Sequence, residues 1–227
     1  MMIRVHHLAV QFVLIFLAPF PAYAIDEVNF SSVFGEKERI VDFSRERSRT
    51  IDTAPFDDFF LFGSDFAADG TLVGRTGTLV IETQILPVQK FPGSPLPPNH
   101  TEINRHWLTA RDGQDTYAGL APIAVGFAQQ VCAVGVSLYQ LGDYTREGAR
   151  NNNLVFRKRT ELTFRFLAAD GSEIETETRF PNDIGLQIAF EVGKNDPLIS
   201  GVVITSTASQ GLGIESVIAI PCAQLTS

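Results

Sequence analysis

Chemically versatile side chains are scarce in this chain: 227 residues contain two cysteines, two methionines, one tryptophan and four histidines. Two cysteines cannot by themselves complete a zinc site. Beyond His6 and His7 near the start, only His100 and His106 could help them. No G-x-S-x-G elbow occurs, and Ser137 lies inside an apolar run without elbow glycines. Neither later histidine has H-E-x-x-H spacing, so the sequence shows no catalytic motif and predicts no enzyme. No long apolar stripe recurs every 3.6 residues, which predicts little helix, the nearest candidate lying around Asn104 to Leu108. Positive charge is also short, with 18 Lys and Arg against 26 Asp and Glu and a formal net charge of −8. Such a surface repels phosphate backbones and anionic lipid, so no nucleic-acid partner is expected.

What is present begins with an export signal over residues 1–24. Arg4, His6 and His7 make a charged start, Leu8 to Leu17 is an apolar run too short to span a bilayer, and Ala22-Tyr23-Ala24 has the small-x-small cleavage pattern. The mature chain is expected to start at Ile25, to be secreted or periplasmic, and to have no transmembrane segment after cleavage. An uncleaved membrane anchor is the alternative. In an oxidising compartment Cys132 and Cys222 most simply form one disulfide, and two separately buried thiols are the alternative.

Strand patterns dominate the rest. Leu162, Phe164 and Phe166 alternate with polar neighbours, Asp170-Gly171 marks a turn, and Ile174, Thr176, Thr178 and Phe180 alternate with Glu173, Glu175, Glu177 and Arg179. This predicts a hairpin with a type I′ turn, and Asp69-Gly70 repeats the same turn chemistry. Further strands are expected at Leu186 to Val192, Ile199 to Ile204, Ile214 to Ile220, Phe59 to Phe62, Thr78 to Ile85, Ile123 to Phe127 and Val131 to Leu138, with a weaker one at Arg39 to Phe43. Residues 25–227 therefore read as one all-β domain, an antiparallel β-sandwich of jelly-roll-like type with little helix. Pro87 to Pro98 holds five of the twelve prolines, which predicts a long loop at about 87–119. A loop of that length commonly carries function.

Residues 123–220 resemble exported bacterial β-sandwich proteins of the PEP-CTERM-associated type. The resemblance rests on Ala133-Val134-Gly135-Val136, Gly142-Asp143-Tyr144, the stretch Leu162 to Gly171, Asp196 to Ile204, and Gly213-Ile214-Glu215-Ser216-Val217. It departs where Glu215-Ser216 replaces the usual Asp-Asn, and no apolar sorting tail follows. The resemblance implies a jelly-roll or similar sandwich in an envelope or extracellular setting, and supplies no catalytic residue.

Three candidate sites follow from residue chemistry. Trp107, Tyr117, Arg105 and His106 in the long loop, with Tyr144 in a second one, could present a flat ring and polar neighbours to a sugar. The alternative has Trp107 packing its loop onto the sandwich. Asp143, Asp183 and Asp196 are loop oxygen donors of the kind calcium takes, and turn formation is their other use. Glu173, Glu175 and Glu177 have strand spacing compatible with a glycosidase pair, but read more simply as a solvated sheet face. The expected function is an exported non-catalytic binding or matrix protein, with extracellular polysaccharide as partner. A structural or adhesive envelope component that binds protein is the alternative, and a β-sandwich glycoside hydrolase comes third.

Overall fold

The computed structural model describes residues 25–32, 38–47, 49–51, 56–73, 79–87, 102–110, 122–140, 144–147, 153–156, 160–181, 185–208 and 212–222. Within them the apolar–polar alternation resolves into strands β1 (Ile25–Val28), β2 (Arg39–Asp42), β3 (Arg49–Ile51), β4 (Phe60–Gly63), β5 (Asp65–Phe66), β6 (Leu72–Val73), β7 (Leu79–Pro87), β8 (Glu102–Ala110), β9 (Ile123–Gln140), β10 (Tyr144–Glu147), β11 (Asn153–Phe156), β12 (Leu162–Leu167), β13 (Glu173–Arg179), β14 (Gly185–Val192), β15 (Ile199–Ser206) and β16 (Leu212–Pro221). The helical content among the described residues is two 3-10 turns, Phe30–Ser32 and Phe43–Arg45. Every described strand pair is antiparallel.

β9 belongs to both layers of the sandwich. Its first part lies between β15 and β4, and its second part between β14 and β16. The first layer therefore runs β13-β12-β15-β9-β4. The second runs β1-β14-β9-β16, with β2 and β8 sharing the far edge of β16 and β7 and β3 continuing beyond β8. From β13 to β16 the strands alternate between layers, as a jelly-roll-like sandwich requires.

The change of layer falls at Ala128-Gln129-Gln130, exposed residues between two buried runs. Ile199 pairs with Val131 while Gly201 pairs with Gly126, so Ser200 alone faces four residues of β9. Across this bulge the buried positions switch from Ile123, Val125 and Phe127 to Val134, Val136 and Leu138. Extra residues reset the period of 2, which lets one strand aim its apolar side chains into the same core from both layers.

That core joins Phe164 and Phe166 of β12 to Phe190 of β14, at centroid distances of 5.0 and 4.9 Å. Phe43, Phe56 and Phe62 close one end edge to face, at 5.3 to 5.7 Å. Burying each such ring stabilises the fold by about 1.5–3 kcal/mol. Cys132 and Cys222 form a disulfide with Cα atoms 4.9 Å apart, fastening β9 to the end of β16. With a sequence separation of 90 between them, the entropic account puts this restraint at roughly 4–5 kcal/mol.

Three expectations are corrected. Glu102–Ala110 is not loop, nor helix around Asn104 to Leu108, but β8, paired along its length with β7. The prolines of that region precede residue 99, so the strand after them is free to donate to a ladder. The Asp-Gly turns are not type I′. Ala67 N–H bonds Thr71 O and Gly70 N–H bonds Ala67 O, and Ala168, Ser172 and Gly171 repeat the pattern. Each is a three-residue loop whose glycine alone takes positive φ, 79° at Gly70 and 80° at Gly171.

The glutamates of β13 do not form a simple solvated row either. A bulge at Ile174 sets Glu175, Glu177 and Arg179 opposite Phe166, Phe164 and Leu162, on the inward side of the edge strand. There Arg179 bonds Glu27 of β1 at 2.6 Å and Glu177 of its own strand. Burial alone would lower the Arg179 pKa, but its hydrogen bonds to Glu27 and Glu177 outweigh that and raise it.

Candidate ligand site

A cleft among the described residues opens beside two paired glycines, of which Gly126 lines it. Gly126 and Gly201 are register partners on β9 and β15, so the outer face of the first layer has no side chain at either position. The ring of Phe66 lies over the gap. A Cβ on Gly201 would meet Phe66 Cζ at 2.3 Å, and one on Gly126 would meet the same ring at 3.6 Å. Glycine inside a strand commonly marks such a close approach.

Phe66 is delivered by the short β5–β6 hairpin, which three contacts hold on the sheet. Arg165 of β12 pairs with Asp65. Ser64 N–H bonds Val73 O at 3.2 Å. The two Asp-Gly turns also pack directly on each other, since a Cβ on Gly171 would lie 2.4 Å from Gly70 N. The half-exposed ion pair contributes no more than about 1 kcal/mol, so turn packing and the Phe66 ring carry most of the docking.

Between this hairpin, the turn after β12 and the β9 bulge opens a cleft of about 310 Å³. Its wall is apolar, with Leu61, Phe66, Leu72 and Phe127, and its rim is polar, with Gln129, Gln130 and Ser200. Among the described residues no charged side chain lines it. The arrangement offers the Phe66 ring for stacking and amide and hydroxyl groups for hydrogen bonds, which suits a neutral, hydroxyl-rich ligand. The nearby turn carboxylates are engaged locally. Asp69 is held below the ordinary carboxylate range by the Thr71 backbone N–H and then the Thr71 hydroxyl. Asp170 is held low by the Ser172 hydroxyl and then its N–H.

The structure separates the residues singled out from sequence. Trp107 is fully buried on β8, 5.3 Å from the ring of Tyr139, with its Cγ only 2.9 Å from where a Cβ on Gly213 would stand. It is therefore a packed side chain and not an exposed stacking platform. Strand alternation puts His106, half-buried, on the opposite face from Trp107. Arg105 is the β8 residue opposite Gln84, and Tyr144 opens β10 opposite Phe156. Tyr117, Asp143 and Asp183 lie outside the described residues. Asp196 lies in the turn after β14, where its N–H bonds Gly193 O. Among the described residues no three His, Cys, Asp or Glu side chains converge as a metal site. Of the glutamate row, Glu173 is exposed, Glu177 is bonded to Arg179, and Glu175 accepts from the Ile25 N–H.

Sequence reasoning missed Phe66, Phe127, Gln129, Gln130 and Ser200. The available signals were Gly126 and Gly201 inside apolar runs, and the polar pair Gln129-Gln130 interrupting the longest one. Among the described residues no helix is long and apolar enough to cross a membrane. Compared with known proteins, the chain matches no family model and no curated protein.

Proposed function

We propose that the protein is an exported, non-catalytic binding protein that takes a neutral segment of extracellular polysaccharide in the cleft beside the β9 bulge. The observation that carries this reading is the uncharged lining among the described residues, with Phe66 next to Gln129, Gln130 and Ser200. A pyranose presents an apolar face for stacking and a belt of hydroxyls for amides. At about 310 Å³ the cleft lies at the small end of ligand sites, and so would take one or two sugar units of a longer chain. Export is supported by the charged start, short apolar run and Ala22-Tyr23-Ala24 of residues 1–24, and by the Cys132–Cys222 disulfide. The likeness of residues 123–220 to exported bacterial sandwiches points to the same compartment. Among the described residues of the lining no imidazole or carboxylate stands beside the Ser200 hydroxyl to act as a base, which favours binding over hydrolysis.

The test is a screen of purified protein against neutral and charged glycans. Specific capture of neutral glycans is expected, weakened about tenfold by Phe66→Ala and to a lesser degree by Gln130→Ala. Gln130 is exposed, so its loss leaves the fold intact. Absence of neutral-glycan binding by folded protein, or binding indifferent to both substitutions, would overturn the reading.

A further inference from the structure

Ile25 opens β1, and its side chain is only 5% exposed, packed into the core between the layers. Its backbone nitrogen is also engaged, donating to Glu175 Oε2 of β13 at 2.7 Å in a partly buried setting. β1 and β13 are the edge strands of the two layers on the same side of the sandwich. The contact therefore spans the lateral opening, beside the Glu27–Arg179–Glu177 group that bridges it one step further along.

Among the described residues the charges at this edge do not balance. Glu27, Glu175 and Glu177 bring three carboxylates against one guanidinium, Arg179. No described Lys or Arg side chain pairs with Glu175. The nitrogen that Glu175 does hold belongs to the residue immediately after Ala22-Tyr23-Ala24.

We propose that Ala24–Ile25 is a processing site and that the α-ammonium released on Ile25 docks on Glu175, completing the closure of the sandwich edge. An export-linked peptidase adds water across the Ala24–Ile25 amide. The water oxygen bonds to the Ala24 carbonyl carbon, the C–N bond breaks, and the nitrogen takes up protons. The leader leaves as a carboxylate, and Ile25 keeps an ammonium. A neutral amide donor already 2.7 Å from Glu175 thus becomes a charged one in place, converting an ordinary hydrogen bond into a charge-assisted ion pair. It adds the second positive charge that the edge lacks. Processing then strengthens a closure the fold already makes, since only the cut chain brings a charged ammonium to Glu175. The inference rests on the export reading.

The experiment uses the full precursor, exported and purified as the processed protein, in four forms: unaltered, Glu175→Gln, a Gly-Ser insertion between Ala24 and Ile25, and both changes together. N-terminal sequencing is expected to find Ile25 first in the unaltered protein. The insertion keeps the Ile25 amide N–H but moves the ammonium two residues away. It is expected to lower the melting temperature by about 2–4 °C, with Glu175→Gln lowering it comparably and adding little in the inserted chain. A chain recovered uncleaved would overturn the export reading and the inference together. A first residue other than Ile25 would overturn the processing site while leaving export standing. A chain starting at Ile25 in which Glu175→Gln has the same effect with and without the insertion would overturn the docking alone. None of these readouts involves a glycan.

Discussion

Each layer of the sandwich seats an aromatic ring on a glycine of its outer face, and the two arrangements end differently. Phe66 lies on Gly126 and Gly201 of the first layer and stays half-buried at the wall of an open cleft. Trp107 lies on Gly213 of the second layer, against Tyr139, and is fully buried. Removing a Cβ from a strand lets a ring approach the backbone in both places. The difference lies in what stands alongside. At Phe66 the β9 bulge holds Gln129 and Gln130 out from the sheet and leaves room. At Trp107 the strands β8, β9 and β16 close over the ring even though β16 is itself bulged between Ile214 and Ser216, and the indole Nε1 is buried with no hydrogen-bond partner among the described residues. In both places the glycine under the ring is a packing device, and only beside Phe66 does a cleft stay open.

The largest effect that would test this contrast is at the closed site. Trp107→Ala should cost about 3–5 kcal/mol in chemical denaturation while leaving the glycan affinity of the folded protein unchanged. Lost affinity with undiminished stability would reverse the roles of the two rings. Next, Gly201→Ala places a methyl where the Phe66 ring lies, and should cost about 1–3 kcal/mol as well as weakening cleft binding. In a Phe66→Ala background the same change should be nearly silent in stability, and persistence of its full cost there would show that the ring is not what the glycine accommodates.

The smallest expected effect concerns the paired turns that frame the cleft. Asp69 and Asp170 both have pKa values lowered below 3.8 by their bonds to Thr71 and Ser172. A lowered carboxylate pKa stabilises the fold at pH above the unfolded value, and that contribution fades as pH falls through the folded value. Stability should therefore decline below about pH 4, and Asp69→Asn with Asp170→Asn should flatten that acid limb. An unchanged acid limb in the double variant would detach the turns from the stability of the first layer.

Much of the fold was legible in the residues themselves. β12 to β14 follow from alternation and turn residues because a half-buried strand repeats every second position, and β15 and β16 from nearly continuous apolar runs that suit strands central in a sheet. β8 was not legible, since neighbouring prolines made residues 87–119 read as one loop, and only pairing with β7 identifies Glu102–Ala110 as strand. Trp107 showed the same limit. A lone tryptophan is more commonly packed than presented, but its polar neighbours suited either, and its ladder position decided which.

The sequence by itself determined the β character, the turn glycines and the apolar runs that must be covered, because these depend on local sterics and period. The tertiary structure alone decided which residues meet. The bulge at residues 127–130 opened the cleft, the register of Gly126 with Gly201 seated Phe66 there, and the meeting of β1 with β13 brought Ile25 to Glu175 across 150 residues. Register and layer crossing are properties of paired strands, and no single strand carries them.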